Sequence, residues 1–357
     1  MSPAQRGIWL TCLMGMVSPG FAAADSVVPE PEAAEAVQQH DLFFSAVNQR
    51  DLLDIGSLRR YLLQQDRFAD ALTPEEYARF KEVHAGHYAG IGLELERDSM
   101  GNVYCYPDAK GPAARAGVKA GDRLLAIGDE SVEGRGLPTL VALAAGAVGT
   151  PVILYTARDG ASRRRFAVTR SAVTGPSVSE RRYAGYRVVR IASFTPDTRQ
   201  ELEFIASRNN SGRLILDLRG NRGGDLHAAI DCAMLFLPEG AEVVSVESKQ
   251  GVQHYVSTIA GRLLRPRVFL LQDSGTASAA EVFIAALTAN HRAVSIGTPT
   301  FGKGTQQQLI ALSTGAVLIL TTGYLLTPQG RAINGVGLAP DRASAATGIG
   351  AYLAEVR

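Results

Sequence analysis

The sequence predicts an α/β core, α+β overall, with a small β domain inserted ahead of it and a small helical cap before that. Three observations predict this. From Tyr186 onward short apolar runs alternate with helical stretches, as in 214–218, 226–237, 268–271, 279–289 and 293–296, and that alternation implies an α/β core. Between Tyr88 and about Val168 the pattern is instead short β runs cut by glycine, at 91–95, 103–106, 123–127, 152–156 and 166–168, with brief helices at 112–117 and 137–145. Before Tyr88, Leu42, Phe43, Val47, Leu52, Leu53, Ile55, Leu58, Leu62 and Leu63 recur at helical spacing.

Taken in order, the first element is a leader. Arg6 precedes an apolar stretch from Ile8 to Val17, then Pro19, Gly20 and the small run Ala22, Ala23, Ala24. That is the pattern of a secretory signal peptide cleaved near Ala24. Its roughly ten apolar residues are too few for a membrane anchor, which needs about 20. The acidic, Pro- and Ala-rich stretch 27–39 reads as a solvated linker or a frayed helix. Thr73, Pro74 and Glu76 then open a helix as N-cap, first helical residue and capping-box partner. The domain expectation is a signal peptide over 1–24, linker and helical cap over 25–86, the β domain over 87–171, the core over 172–345, and a short tail over 346–357.

A chain of 357 residues, 46% hydrophobic and 20% charged, buries a sizeable core in two or three domains and is not disordered. Its net charge of +1 gives no broad field for nucleic acid or an anionic membrane, and the run Arg163, Arg164, Arg165 reads as solvated charge. Of three cysteines, Cys12 leaves with the leader, and Cys105 and Cys232 fall in different domains, so no disulfide framework is expected. Neither an HExxH nor a paired-cysteine pattern occurs, and no metal or organic cofactor is expected.

Three stretches carry chemistry. In Gly275-Thr-Ala-Ser278-Ala-Ala-Glu281 a strand passes into a helix, so Ser278 lies beside unsatisfied first-turn N–H groups able to stabilise an oxyanion. Alone, Ser278 and Glu281 fit an ordinary capping box equally well. In Thr300-Phe-Gly-Lys303-Gly-Thr305, Lys303 serves as a base only if burial depresses its pKa, and is otherwise a solvated loop lysine. The run from Gly297 to Lys303 copies a phosphate-binding loop as far as its lysine, but Gly304 stands where Ser or Thr should follow, which argues against nucleotide binding. Third is Leu216-Asp-Leu-Arg-Gly-Asn-Arg-Gly223-Gly224-Asp225, a strand followed by a glycine-rich turn.

Together with Leu72-Thr-Pro-Glu-Glu-Tyr77, Tyr88-Ala-Gly-Ile-Gly-Leu-Glu94, 111–122, Tyr324-x-x-Thr-Pro-x-Gly330 and Gly335-Val-Gly-Leu-Ala-Pro-Asp341, these stretches resemble the C-terminal processing (tail-specific) peptidases, the Ser-Lys family S41. The resemblance implies a crotonase/ClpP-like core with an inserted PDZ domain. It implies Ser278 as nucleophile, Lys303 as base and Gln307 as the residue orienting the lysine, one turn on if that segment is helical, with Gln306 and Gln308 as register alternatives. By the same resemblance, the backbone of Ala279 and a glycine of the Gly223-Gly224 pair are expected to form the oxyanion hole. The resemblance further implies that Gly90, Ile91, Gly92 and Leu93 take a substrate C-terminus as an added strand. The expected partners are unfolded or tail-exposed polypeptides in the periplasm, not nucleic acid or metal; a periplasmic adaptor or regulator and a homo-oligomer stay open. Arg222 stands where the family often has Pro, Ala289 where some members carry an acid, and the segment after Asp341 is short. Two rivals remain: a Ser-His enzyme using His227 or His291, and a non-catalytic peptide-binding adaptor.

Overall fold

The computed structural model describes residues 30–43, 54–84, 89–98, 100–108, 110–158, 162–172, 176–208, 212–344 and 348–356. The expected leader lies outside them. At the centre is a six-stranded sheet in the order Val178–Tyr183, Tyr186–Ile191, Arg213–Asp217, Arg267–Gln272, Ala293–Gly297 and Arg342–Ala343. Its first pair is antiparallel and the others are parallel. Strand residues point alternately to the two faces, and the apolar sequence obeys that period. Leu214, Leu216, Val268 and Leu270 pack under the helices Thr198–Ser207, Leu226–Met234 and Ala279–Ala289. Ile215, Phe269, Leu271 and Ile296 face the other way, against Tyr352, Leu353 and Val356. The expected tail therefore carries a helix, Ile349–Ala354, that covers the second face of the sheet.

A second, antiparallel sheet runs Asp70–Leu72, Val317–Leu326, Glu242–Ser248, Gly251–Val256, with Thr305–Ala311 also paired to Val317–Leu326. Val243, Val244 and Val246 press on helix Ala279–Ala289, so that helix is covered on both sides and its residues 279–287 are all buried. A helix apolar all round belongs in such a place.

Two expectations for the N-terminal region are corrected. The stretch read as linker or frayed helix is the helix Glu30–His40, with Ala33, Ala36 and Val37 buried against Leu318 and Leu320. Small side chains at i, i+3 and i+4 let it lie close to the strand, an amphipathic signal hidden by acidic residues and prolines. The region read as wholly helical contains helices Ile55–Gln65 and Pro74–His84, separated by the strand Asp70–Leu72, which joins the core's sheet.

The inserted β domain is a sheet of Leu93–Arg97, Val103–Pro107, Asp122–Ile127, Pro151–Ala157 and Arg164–Thr169, with Glu130–Ser131 beside Asp122–Ile127. Helices Pro112–Arg115 and Leu137–Ala144 accompany it, and its core holds Ile91, Val103, Leu124, Leu140, Leu154 and Val168. The strands entering and leaving it, Ala89–Gly90 and Ser171–Ala172, pair with each other. Asp70 docks the domain on the cap: its Oδ2 accepts Thr139 N–H at 2.9 Å and the Thr139 hydroxyl at 2.7 Å, with Arg59 3.6 Å from Oδ1. Asp70 is fully buried, and burial raises its pKa against the lowering effect of Arg59 and Thr139.

Candidate active site

Three parallel strands end side by side, and the turns that follow them are laced together. Beyond Arg213–Asp217, Gly220 donates its N–H to Asp273 Oδ1 at 2.8 Å. Beyond Arg267–Gln272, the Thr276 hydroxyl donates to Leu218 O and Ala277 N–H to Asn221 O, each at 2.9 Å. Beyond Ala293–Gly297, Phe301 N–H donates to Thr276 O at 2.9 Å. Crevices at the carboxyl ends of strands in open α/β sheets are where such folds bind ligands.

Ser278 opens helix Ala279–Ala289 with φ 58° and ψ −124°. Positive φ is costly for a residue with a Cβ and collects at functional sites. The surrounding turn enforces it: Gly223 lies so close that a Cβ there would be 2.9 Å from both Ser278 Cβ and Ala279 N. Gly223 N–H donates to Asn221 Oδ1 at 2.8 Å and its carbonyl accepts Phe194 N–H at 2.8 Å. Gly224 follows with φ +126°, where a Cβ would be 2.2 Å from Phe194 O.

The keystone is Glu281, which the sequence marked only as half a capping box. Its side chain is 0% exposed. Oε2 accepts Ser278 N–H at 2.8 Å and Lys303 N–H at 2.9 Å; Oε1 accepts the Thr300 hydroxyl at 2.5 Å and Gly302 N–H at 2.8 Å. One oxygen thus joins the backbones of Ser278 and Lys303. Burial raises the Glu281 pKa, opposed by these same donors. The glycines beside Lys303 are required by close approach: a Cβ on Gly302 would be 2.8 Å from Gly337 N, and one on Gly304 2.2 Å from Asn334 N. The loop that imitates a phosphate-binding motif holds the Glu281 carboxylate in its nest of N–H groups.

Burial pushes the Lys303 amine below the usual lysine range, outweighing Asp66, which raises it; Arg67 lowers it further. The amine lies over the Phe68 ring, 4.9 Å from its centroid. Lys303 Nζ and Ser278 Oγ are not hydrogen-bonded to each other, although their backbones are bridged.

The helical setting anticipated for Gln307 is corrected, since 305–311 is a strand. A bulge in its pairing sets Gln307 opposite Thr321, where a regular ladder would have placed Thr322, and bulges of this kind re-aim side chains. The Gln307 amide donates to the hydroxyls of Thr305 at 2.9 Å and Thr321 at 3.1 Å. In the inserted domain, Gly92 takes φ +60°, Ile91 O accepts Ala113 N–H at 2.8 Å and Gly92 O accepts Asp108 N–H at 2.9 Å. Gly90 lies in a strand and Leu93 begins one. Arg222 joins the two regions, with Glu94 at 3.0 Å, Glu96 at 2.6 Å and the exposed Phe301 ring at 5.9 Å.

Of the two histidines of the rival reading, geometry separates His291 from Ser278. His291 sits beyond the far end of the helix that Ser278 opens, on the order of 20 Å away at 1.5 Å per residue. His227 packs edge-on to Tyr255, with ring centroids 5.9 Å apart. Among the described residues no group of three or more His, Cys, Asp or Glu side chains could hold a metal, and no helix is long and apolar enough to cross a membrane.

The family description of peptidase family S41 matches residues 185–344. Through this stretch the chain belongs to peptidase family S41. A PDZ domain matches residues 103–158, within the inserted β domain of this S41 chain. The carboxy-terminal processing protease CtpA of Bacillus subtilis is 34% identical over 281 residues, covering 77% of the chain and 60% of that protein. A probable CtpA-like serine protease of Staphylococcus epidermidis is 32% identical over 282 residues, 78% of the chain and 57% of that protein. The S41 chain thus spans less than two thirds of the length of these relatives. The photosystem II D1 C-terminal processing protease superposes with a TM-score of 0.72 at 27% identity, covering 90% of this chain and 95% of that one. A putative S41 protease from Bacteroides fragilis, at TM-score 0.51 and 14% identity over 88% and 90% of the two chains, shares the fold.

Proposed function

We propose that the protein is a serine endopeptidase of the C-terminal processing type, in which Ser278 is the nucleophile and Lys303 the base. The observation that carries this reading is the single Glu281 oxygen that binds both backbones, beside a desolvated lysine amine. A neutral Lys303 takes the Ser278 proton, Ser278 attacks a peptide carbonyl, and Lys303 hands the proton to the leaving amine; water then releases the acyl group. A change of side-chain rotamer brings Oγ and Nζ into contact, as catalytic hydrogen bonds commonly tighten on substrate binding. Ala279 N–H is one oxyanion donor. Gly223 N–H is engaged by Asn221, so Gly224 N–H is the second and Gly223 provides the closeness. Gln307 acts on the lysine through Thr321.

The PDZ domain takes the substrate's C-terminus along Gly90, Ile91, Gly92 and Leu93, and the substrates are unfolded or tail-exposed polypeptides. Residues 1–24 export the chain to the periplasm, which sequencing the N-terminus of the mature protein would check. The deciding experiment compares Ser278→Ala, Lys303→Ala, His227→Ala and His291→Ala on an unfolded polypeptide. Loss of cleavage in the first two alone is expected. An active Lys303→Ala enzyme excludes the dyad, and a wild-type protein that binds C-terminal peptides without cleaving is an adaptor.

A further inference from the structure

The helical cap delivers a charged group to the lysine that its sequence gave no reason to connect with chemistry. Helix Ile55–Gln65 is capped at its C-terminus by Asp66, whose N–H donates to Leu62 O at 2.8 Å and whose backbone is extended. That conformation turns the carboxyl inward, and Asp66 is 5% exposed. Oδ1 accepts Phe68 N–H at 2.9 Å and Oδ2 accepts the Thr321 hydroxyl. Having given its proton to Asp66, that hydroxyl accepts the Gln307 amide at 3.1 Å. Phe68, two residues on, offers its ring to the Lys303 amine and also to the Arg67 guanidinium, 4.7 Å from the centroid.

We propose that Asp66 is a positioning residue for the lysine base: its carboxylate, tied into the Asp66–Thr321–Gln307 arc and bonded to the backbone of Phe68, whose ring lies under the Lys303 amine, holds an attractive charge on that amine. The inference rests on the dyad reading. A lysine that both takes and returns a proton works best with a pKa near the working pH. Burial alone drives it down, and a nearby opposite charge draws it back. Other charges face the pair. Arg67 opposes the Asp66 effect, Glu281 holds the Lys303 backbone, and Asp41, itself balanced by Lys249, lies near Asp66. Among the described residues Asp66 combines burial, which raises its own pKa, with an attractive charge on the amine when ionised and a bonded path to Gln307.

The test is the pH profile of kcat/KM and of kcat for the full chain on an unfolded polypeptide, with Asp66→Asn, Asp66→Glu, Thr321→Val and Lys303→Ala. Removing the charge should move the acid limb of Asp66→Asn down by about 1 pH unit and lower its plateau roughly tenfold, the equivalent of about 1.4 kcal/mol. Asp66→Glu should restore the limb. Thr321→Val keeps the charge and breaks the arc, so kcat should fall at least about threefold, under 1 kcal/mol, with KM and limb unmoved. An Asp66→Asn limb that overlays wild type overturns the inference while leaving the dyad intact, provided Lys303→Ala is dead. An active Lys303→Ala enzyme sinks both. If circular dichroism shows Asp66→Asn unfolded, Thr321→Val decides, and an unchanged kcat refutes the arc.

Discussion

Replacing Glu281 by glutamine isolates the fixture on which the site is built. The amide keeps one acceptor oxygen and converts the other into a donor, so its orientation matters. The Thr300 hydroxyl already accepts Leu338 N–H at 2.7 Å and can reverse its own proton, whereas Ser278 and Lys303 offer only backbone N–H groups. The amide oxygen should therefore turn toward Ser278 and Lys303, leaving Gly302 N–H stranded. One stranded buried donor costs about 1–3 kcal/mol, and two hydrogen bonds that lose their charge weaken by about 1 kcal/mol each. Relief of the buried charge offsets part of this, so a net loss of roughly 2–4 kcal/mol is expected. The only tryptophan is Trp9, in the expected leader, so urea unfolding is best followed by circular dichroism. Because the two backbones stay bridged, kcat should fall no more than about tenfold, or 1.4 kcal/mol. A Glu281→Gln protein of wild-type stability, or one that folds normally and is dead, would refute the reasoning, the latter by giving the carboxylate a chemical role.

Gly223→Ala puts a methyl within 2.9 Å of Ser278 Cβ and Ala279 N; a loss of at least about 100-fold in kcat is expected, measured as the burst of acyl-enzyme, with the fold retained by circular dichroism. Because the folded-state pKa of Lys303 is depressed, the unfolded chain binds the extra proton between the folded and unfolded values. Stability should therefore rise with pH across that window and be lost as pH falls to the folded value, and Lys303→Met should flatten that part of the urea-midpoint profile. Asp70→Ala removes three hydrogen bonds and one partner of buried Arg59; about 3–5 kcal/mol is expected, read by urea unfolding and by faster protease nicking near the cap. Arg222→Ala cuts two half-exposed ion pairs for about 1 kcal/mol or less. It should enlarge the radius of gyration in X-ray scattering, and high salt should bring wild type toward the same value.

The parts of the molecule built on strong periodicity were legible in the sequence. Leu214–Leu218 and Val268–Leu271 read as buried strands because both faces of their sheet are covered, and the glycine-cut runs gave the β domain. Weak or masked patterns were not. The hairpin of Glu242–Ser248 and Gly251–Val256 went unrecognised because its outer strand is largely exposed and polar, without apolar alternation. Glu30–His40 hides its narrow alanine stripe among acids. At the site, Ser278 and Lys303 had motifs, and Glu281 carried a capping signal that understated it. Asp66 had none, because its role arises only where the cap meets the strand Val317–Leu326, a contact between residues 255 apart in the chain.

The loop from Gly297 to Lys303 encloses an internal anion where a nucleotide-binding chain would receive an external one. Such a port, once stoppered by the protein's own acid, admits no triphosphate, and no hydrolysis there can power the pulling of a substrate. On the proposed peptidase reading, whatever loosens a polypeptide before it is cut has to draw its energy from somewhere other than this loop.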